Sequence, residues 1–254
     1  MIPADALNAL IKVRDRAKPV LAQSSLQVLD AAIASVHDSA GVDKKTRNKR
    51  IASRGRWGYS IPADRPLEFI ECKTRSGHSI LVDLFGCFTW AFKAPGECVT
   101  QELVIRVWSV DPALSFRADW DAERLGFLAE SAGRRVIVRY HFDRANSGQD
   151  GPRYHLQVGG NARPEEYCWL PEPLDVPRLP FPPLDIVLGC EMIMANFFPD
   201  AYRDIRLDPL WRGAVRLAQS ECHHDYYELC SHALAAGGGF TQSLMDELWN
   251  KPWE

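Results

Sequence analysis

The chain has 254 residues, 46% of them hydrophobic and 25% charged, with 17 glycines and 17 prolines. Those proportions exclude collagen-like, low-complexity and wholly disordered chains, and the length suffices for a core that needs no covalent staples. The 30 basic and 33 acidic side chains leave a formal charge of −3, so the overall balance demands neither nucleic acid nor an anionic membrane.

The N-terminal stretch reads as two helices. Ala4 to Arg16 sets Leu7, Leu10, Ile11 and Val13 at helical spacing until Pro19 interrupts. Ser24 or Ser25 is expected to cap a second helix that carries Leu26, Leu29, Ile33 and Val36 on one face and closes at Gly41. Acids and bases alternate in the first turns, so the uninterrupted apolar core of a signal peptide is missing. No apolar stretch reaches the ~20 residues of a membrane span; Ile186 to Phe198 is broken by Glu191 and Asn196. Seven cysteines (Cys72, Cys87, Cys98, Cys168, Cys190, Cys222 and Cys230) include no CxxC pair. They read as reduced, apolar fillers. A cytoplasmic location is expected.

After the helices comes a basic segment. Lys44, Lys45, Arg47, Lys49, Arg50, Arg54 and Arg56 supply seven cations with no acid between them. From Leu67 the texture changes to strands. Leu67–Thr74 and His78–Phe85 flank Arg75-Ser76-Gly77 and read as a hairpin. Glu102–Val110 and Arg134–Phe142 follow, then Arg153–Val158, which Gly159-Gly160 stops. The turn cluster Asn146 to Gly151 joins the last two strands as an antiparallel pair. Residues 171–183 hold six prolines and read as an extended connector. Helices are expected over Leu184–Phe198, Pro209–Ala236 and Thr241–Trp249, the last two separated by Gly237-Gly238-Gly239. The expected fold class is α+β: an antiparallel β meander flanked by N-terminal helices and a C-terminal helical segment. One domain over residues 1–254 would divide into helical 1–42, a basic linker 43–57, a sheet over 58–160 and helical 184–250. No GxGxxG or P-loop sequence is present.

Four constellations carry the functional reading. In the hairpin RYHFDRANSGQDGPRYHLQVGG, strand alternation puts Arg139, His141 and Asp143 on one face, and Arg153, His155 and Gln157 on one face of the partner. If the register joins those faces, two imidazoles, a carboxylate and guanidiniums converge. His141 and His155 would then act as acid and base on a phosphodiester, with Arg139 or Arg153 steadying the developing charge. The alternative is a solvated face with surface histidines, and a one-residue slip would separate the faces. The pair with Asp143 is a loose match to a metal site, and the reading assigns no metal and no cofactor.

The second constellation is Asp64, Glu71 and Lys73, the residue types with which metal-dependent restriction-type nucleases hold Mg²⁺ and orient water. Their spacing is tight and Pro66 intervenes; an exposed strand face is the competing account. The third is the helical stripe His224, Glu228 and His232, spaced by four, which can bind zinc or simply be a solvated face. The fourth is the basic run, with Trp57 and Tyr59 beside it, suited to RNA, DNA or an acidic protein.

The stretch VRYHFDR…GPRYHLQ resembles the RYDN…GKGDHRH signature of TumE-type toxins of bacterial toxin–antitoxin pairs. It is also similar to a wider, uncharacterised group of bacterial defence-associated proteins. There, a strand ending in HLQ or HLH precedes an Arg-Leu-Pro step and a helix ending Asn-Phe-Phe. Here those stretches are His155-Leu156-Gln157, Arg178-Leu179-Pro180 and Asn196-Phe197-Phe198, so the resemblance covers Val138 to Phe198. Arg139, Tyr140 and His155 have toxin counterparts and Asp143 lies near one. The Lys-Gly-Asp-His sequence is absent, and Pro152 and Arg153 stand where the pattern has Asp and His. The resemblance implies a role in bacterial conflict, in phage defence or toxin–antitoxin action. The expected partners are a protein subunit of a defence complex or a cognate antitoxin, with RNA or DNA suggested by the basic run and no membrane partner expected. The expectation is a nucleic-acid- or partner-binding subunit, with a metal-independent ribonuclease-like toxin and a restriction-type nuclease as alternatives.

Overall fold

The computed structural model describes residues 3–40, 56–73, 77–91, 98–110, 135–144, 152–159 and 178–235. Among them are five α-helices: α1 (Pro3–Ala17), α2 (Gln23–Ala40), α3 (Ile186–Phe197), α4 (Pro199–Ile205) and α5 (Pro209–Ala235). Seven strands form one antiparallel sheet: β1 (Arg56–Ile61), β2 (Leu67–Lys73), β3 (Ser79–Ala91), β4 (Cys98–Ser109), β5 (Arg135–Arg144), β6 (Tyr154–Val158) and β7 (Leu179–Pro180). The chain is therefore α+β, a meander with helices before and after it. No described helix is long and apolar enough to cross a membrane.

In α1 the buried stripe is Ala6, Ala9, Leu10, Val13 and Ala17, so alanines share the face expected from Leu7, Leu10, Ile11 and Val13, of which Leu7 and Ile11 are only partly buried. Pro19 ends the helix by tightening it into a 3-10 turn over Lys18–Val20. The expected serine cap of α2 is corrected. The helix already begins at Gln23, and Ser25 is buried inside its first turn. The Ser25 hydroxyl instead accepts from the Glu68 N–H at 2.8 Å and so ties α2 to β2. Leu29 and Val36 are buried as expected from the helical period. Gly41 lies outside the described residues.

The sheet runs in the order β1-β3-β4-β5-β6-β7, and β2 pairs β3 as well. β1 faces the C-terminal half of β3, from Ala91 to Gly86, and β2 continues along the same edge from Leu84 to Ser79. The two are collinear, separated by residues 62–66, where Pro62 and Pro66 cannot donate to a ladder. β1 is a strand the sequence reading missed: Arg56 and Trp57, assigned to the linker, already pair with Ala91 and Trp90.

One face of the sheet carries the core. Ile80, Val82, Leu84, Phe88 and Trp90 of β3 alternate inward with Leu103, Ile105 and Val107 of β4, beneath α1, α2 and α3. Each such side chain contributes roughly 1.5–3 kcal/mol by burial. Gly189 lets α3 lie directly on the sheet, because a Cβ there would come within 2.8 Å of both Leu84 and Leu103 side chains. Asp185 caps α3 by accepting from the Leu188 N–H at 2.9 Å. Glu191 accepts from the Tyr202 hydroxyl and the Trp211 indole N–H, fastening α3 to α4 and α5. The short helix expected over Thr241–Trp249 lies outside the described residues.

Candidate functional site on the β4–β5–β6 face

The hairpin register answers the question of faces. His141 is the Cα partner of Gln157, Asp143 of His155, and Phe142 of Leu156. On the other side Glu102 opposes Asp143, Val104 opposes His141, and Arg106 opposes Arg139. Directly paired residues share a face, so Glu102, Asp143 and His155 form one row across three strands. His141 and Gln157 occupy the next row, and Arg139 the one beyond. All lie on the side of the sheet opposite Leu103, Ile105 and Phe142. Arg153 precedes β6, is half-buried and lies outside the paired register.

The row is not uniformly open. His155 is 1% exposed, opposite Pro180 of the proline connector. Its Nδ1 lies 3.1 Å from the Pro152 carbonyl oxygen. A carbonyl only accepts, so Nδ1 carries the proton and Nε2 the lone pair. Among the described residues Nε2 has no hydrogen-bond partner, and it is buried. Burial pushes the imidazole down to about 4; the positive charges of Arg178 and His141 add to this and the Pro152 carbonyl opposes it. At neutral pH His155 is an uncharged interior ring.

Asp143 is shifted the other way, up to about 6, first by burial and then by the Glu102 charge, against His141 and Arg178. His141 is the more accessible imidazole. Its Nε2 lies 3.2 Å from Glu102 Oε1, with 16% and 43% of the two side chains exposed. That contact with His141 holds the Glu102 carboxyl below its ordinary value. The arrangement offers a carboxylate-oriented imidazole beside a carboxyl that titrates near neutrality, which suits proton transfer. His155 contributes shape and polarity from the interior.

Two members of this network were missed. Glu102 sits at an alternate position of an expected strand, and only the β4–β5 register brings it beside His141. Arg178, quoted for its tripeptide alone, reaches both Asp143 and His155 electrostatically. A further buried network lies on the same face. Arg106 donates to both oxygens of Asp83 at 2.9 and 2.8 Å, and the Trp108 indole adds a bond at 2.9 Å. The guanidinium packs over Phe85 and Trp108, 4.7 and 4.9 Å from the ring centroids. This half of the face is locked.

The other constellations fare differently. Asp64 lines a groove of about 440 Å³ between α2 and the segment joining β1 to β2. Glu71 and Lys73 line a separate groove of about 640 Å³ at the far end of β2. The restriction-type trio is therefore not brought together. Glu71 has φ +63° within a bulge between Phe69 and Cys72, a backbone conformation that L side chains rarely adopt. Of the basic run, Arg56 is exposed at the start of β1. Lys44, Lys45, Arg47, Lys49, Arg50 and Arg54 lie outside the described residues. On α5, His224, Glu228 and His232 are all exposed.

No protein family, curated protein or solved structure matches the chain. The α+β fold and the network on the β4–β6 face are what the chain itself supplies.

Proposed function

We propose that the chain is a non-catalytic binding subunit of a bacterial conflict system, gripping RNA through its basic segment, while the β5–β6 hairpin serves as an internal polar framework. One observation carries the framework half: His155, which has a counterpart in the toxin signature, is 1% exposed and neutral. An acid–base residue must reach the proton it transfers, and a ring closed off beside Pro152 and Pro180 does not meet a polynucleotide. The binding half rests on seven cations between Lys44 and Arg56 in a chain whose net charge is −3. Such a run associates with phosphates by counterion release. The conflict setting rests on the resemblance over Val138 to Phe198.

The test is RNA binding by the full chain across a salt series, with Lys49→Glu plus Arg50→Glu and, separately, His155→Ala. Charge reversal is expected to abolish binding, while the folded fraction of His155→Ala binds as the parent does. Salt-insensitive binding unchanged by reversal contradicts the grip. Loss of binding in a His155 variant with native circular dichroism contradicts the framework role.

A second reading is favoured by the pairing of His141 with Glu102 next to an Asp143 that titrates near 6. Metal-independent phosphodiester cleavage would then use His141 and Asp143 as the proton-transfer pair, with Arg139 or Arg153 steadying phosphate and His155 holding position. RNA cleavage in the presence of a chelator, lost in His141→Ala, distinguishes it from the binding subunit.

A further inference from the structure

Among the described residues, the C-terminal half of α5 carries a compact group of ligand-type side chains. His224, Asp225 and Glu228 bring one ligand atom each to within 4.8 Å of one another. His224 Nδ1 is 3.4 Å from Asp225 Oδ1 and 3.9 Å from Glu228 Oε2. Between Leu217 and Ala235 the helix has Glu221, Asp225 and Glu228 but neither Lys nor Arg.

We propose that His224, Asp225 and Glu228 form a surface site for Zn²⁺. Ligands held ~2.0–2.1 Å from a tetrahedral ion stand about 3.3 Å apart, close to the two separations seen here. The 3.9 Å gap exceeds a hydrogen bond, yet two donor atoms at that spacing bracket an ion after a small side-chain rotation. The residues one turn apart, His224 and Glu228, are held by the helix itself, so little ordering is needed. One imidazole with two carboxylates suits zinc better than calcium or magnesium, which prefer oxygen alone. The remaining positions on the ion go to water, because the three side chains are 69%, 70% and 61% exposed. His232, four residues beyond Glu228, lies on the same face of the helix and is exposed as well.

The exposure makes the test clean, since substitution here leaves the core intact. The metal-free full chain is titrated with Zn²⁺ against a chromogenic chelator, alongside His224→Ala, Asp225→Asn and Glu228→Gln. A Co²⁺ spectrum separates nitrogen and oxygen ligands from cysteine thiolates. The expected result is one equivalent without thiolate charge-transfer bands, its affinity lowered about tenfold or more in each variant, with circular dichroism unchanged. Identical isotherms in the parent and His224→Ala, the behaviour of an ordinary solvated face, overturn the proposal. So does a bound equivalent whose Co²⁺ spectrum is that of thiolate.

Discussion

Asp143 and His155 stand directly opposite each other on β5 and β6, yet burial drives their ionisation in opposite directions, to about 6 and about 4. Across the neutral range the pair is a carboxylate facing an uncharged ring. The contrast follows from one cause, because desolvation penalises whichever form carries charge.

Stability should record the His155 half of this pair. Its folded value, about 4, lies below the ~6.5 of an unfolded chain. The contribution is therefore complete above pH ~6.5 and is lost as pH falls towards 4. His155→Ala is expected to cost about 2–4 kcal/mol at pH 8, through the cavity and the orphaned Pro152 carbonyl. Urea unfolding at pH 8 and pH 4.5 checks this: the gap to the parent narrows on the acid side. A gap that stays constant with pH contradicts the depressed imidazole.

Asp185 gives the opposite slope. It is 1% exposed and its carboxyl is pushed up to about 6 by burial. Its folded value lies above the unfolded ~3.9, so its contribution is present below pH ~4 and lost as pH rises through 6. Asn caps a helix about as well as Asp. Asp185→Asn is expected to stabilise the protein at pH 8 and change little at pH 4. Asp185→Ala loses the bond to the Leu188 N–H and destabilises by about 1–2 kcal/mol. Thermal melts of both variants at the two pH values decide between cap and charge.

Arg106 and Asp83 are a buried pair, and removing one partner should be far worse than removing both. Desolvation raises the Asp83 carboxyl even beside its guanidinium. Arg106→Met is expected to cost about 3–5 kcal/mol by stranding that carboxyl, whereas Arg106→Met with Asp83→Leu recovers most of the loss. A double variant no more stable than the single one contradicts this account of the lock.

Glu71 should be replaceable with profit. A left-handed residue with a Cβ costs roughly 1–2 kcal/mol relative to one without. Glu71→Gly removes that strain at φ +63°, so denaturant midpoints are expected to rise. A fall would mean that the Glu71 side chain holds the bulge itself.

The sequence made the architecture legible wherever periodicity was strong. The alternation through Val138, Tyr140 and Phe142 and the turn cluster before Pro152 carry the β5–β6 pairing, and with it the shared face of His141 and His155. Burial across strands was not legible. Nothing local says that Pro180 lies opposite His155, or that Glu102 reaches His141, because both contacts join segments far apart in the chain. Ser25 misled for a related reason: its hydroxyl satisfies a strand N–H instead of its own helix, a choice made by tertiary packing. β1 was hidden because Arg56 continues the cationic run that precedes it, so composition masked the strand's start.

His155 is the interior, uncharged ring on which the hairpin framework depends. A ¹⁵N-edited NMR titration of the imidazoles measures this directly. The expected spectrum has His155 in the Nδ1–H tautomer, unchanged on acidification until the pH nears about 4. Titration near ~6.5 with rapid solvent exchange, as for an accessible histidine, would contradict it and restore His155 to the proton-transfer pair.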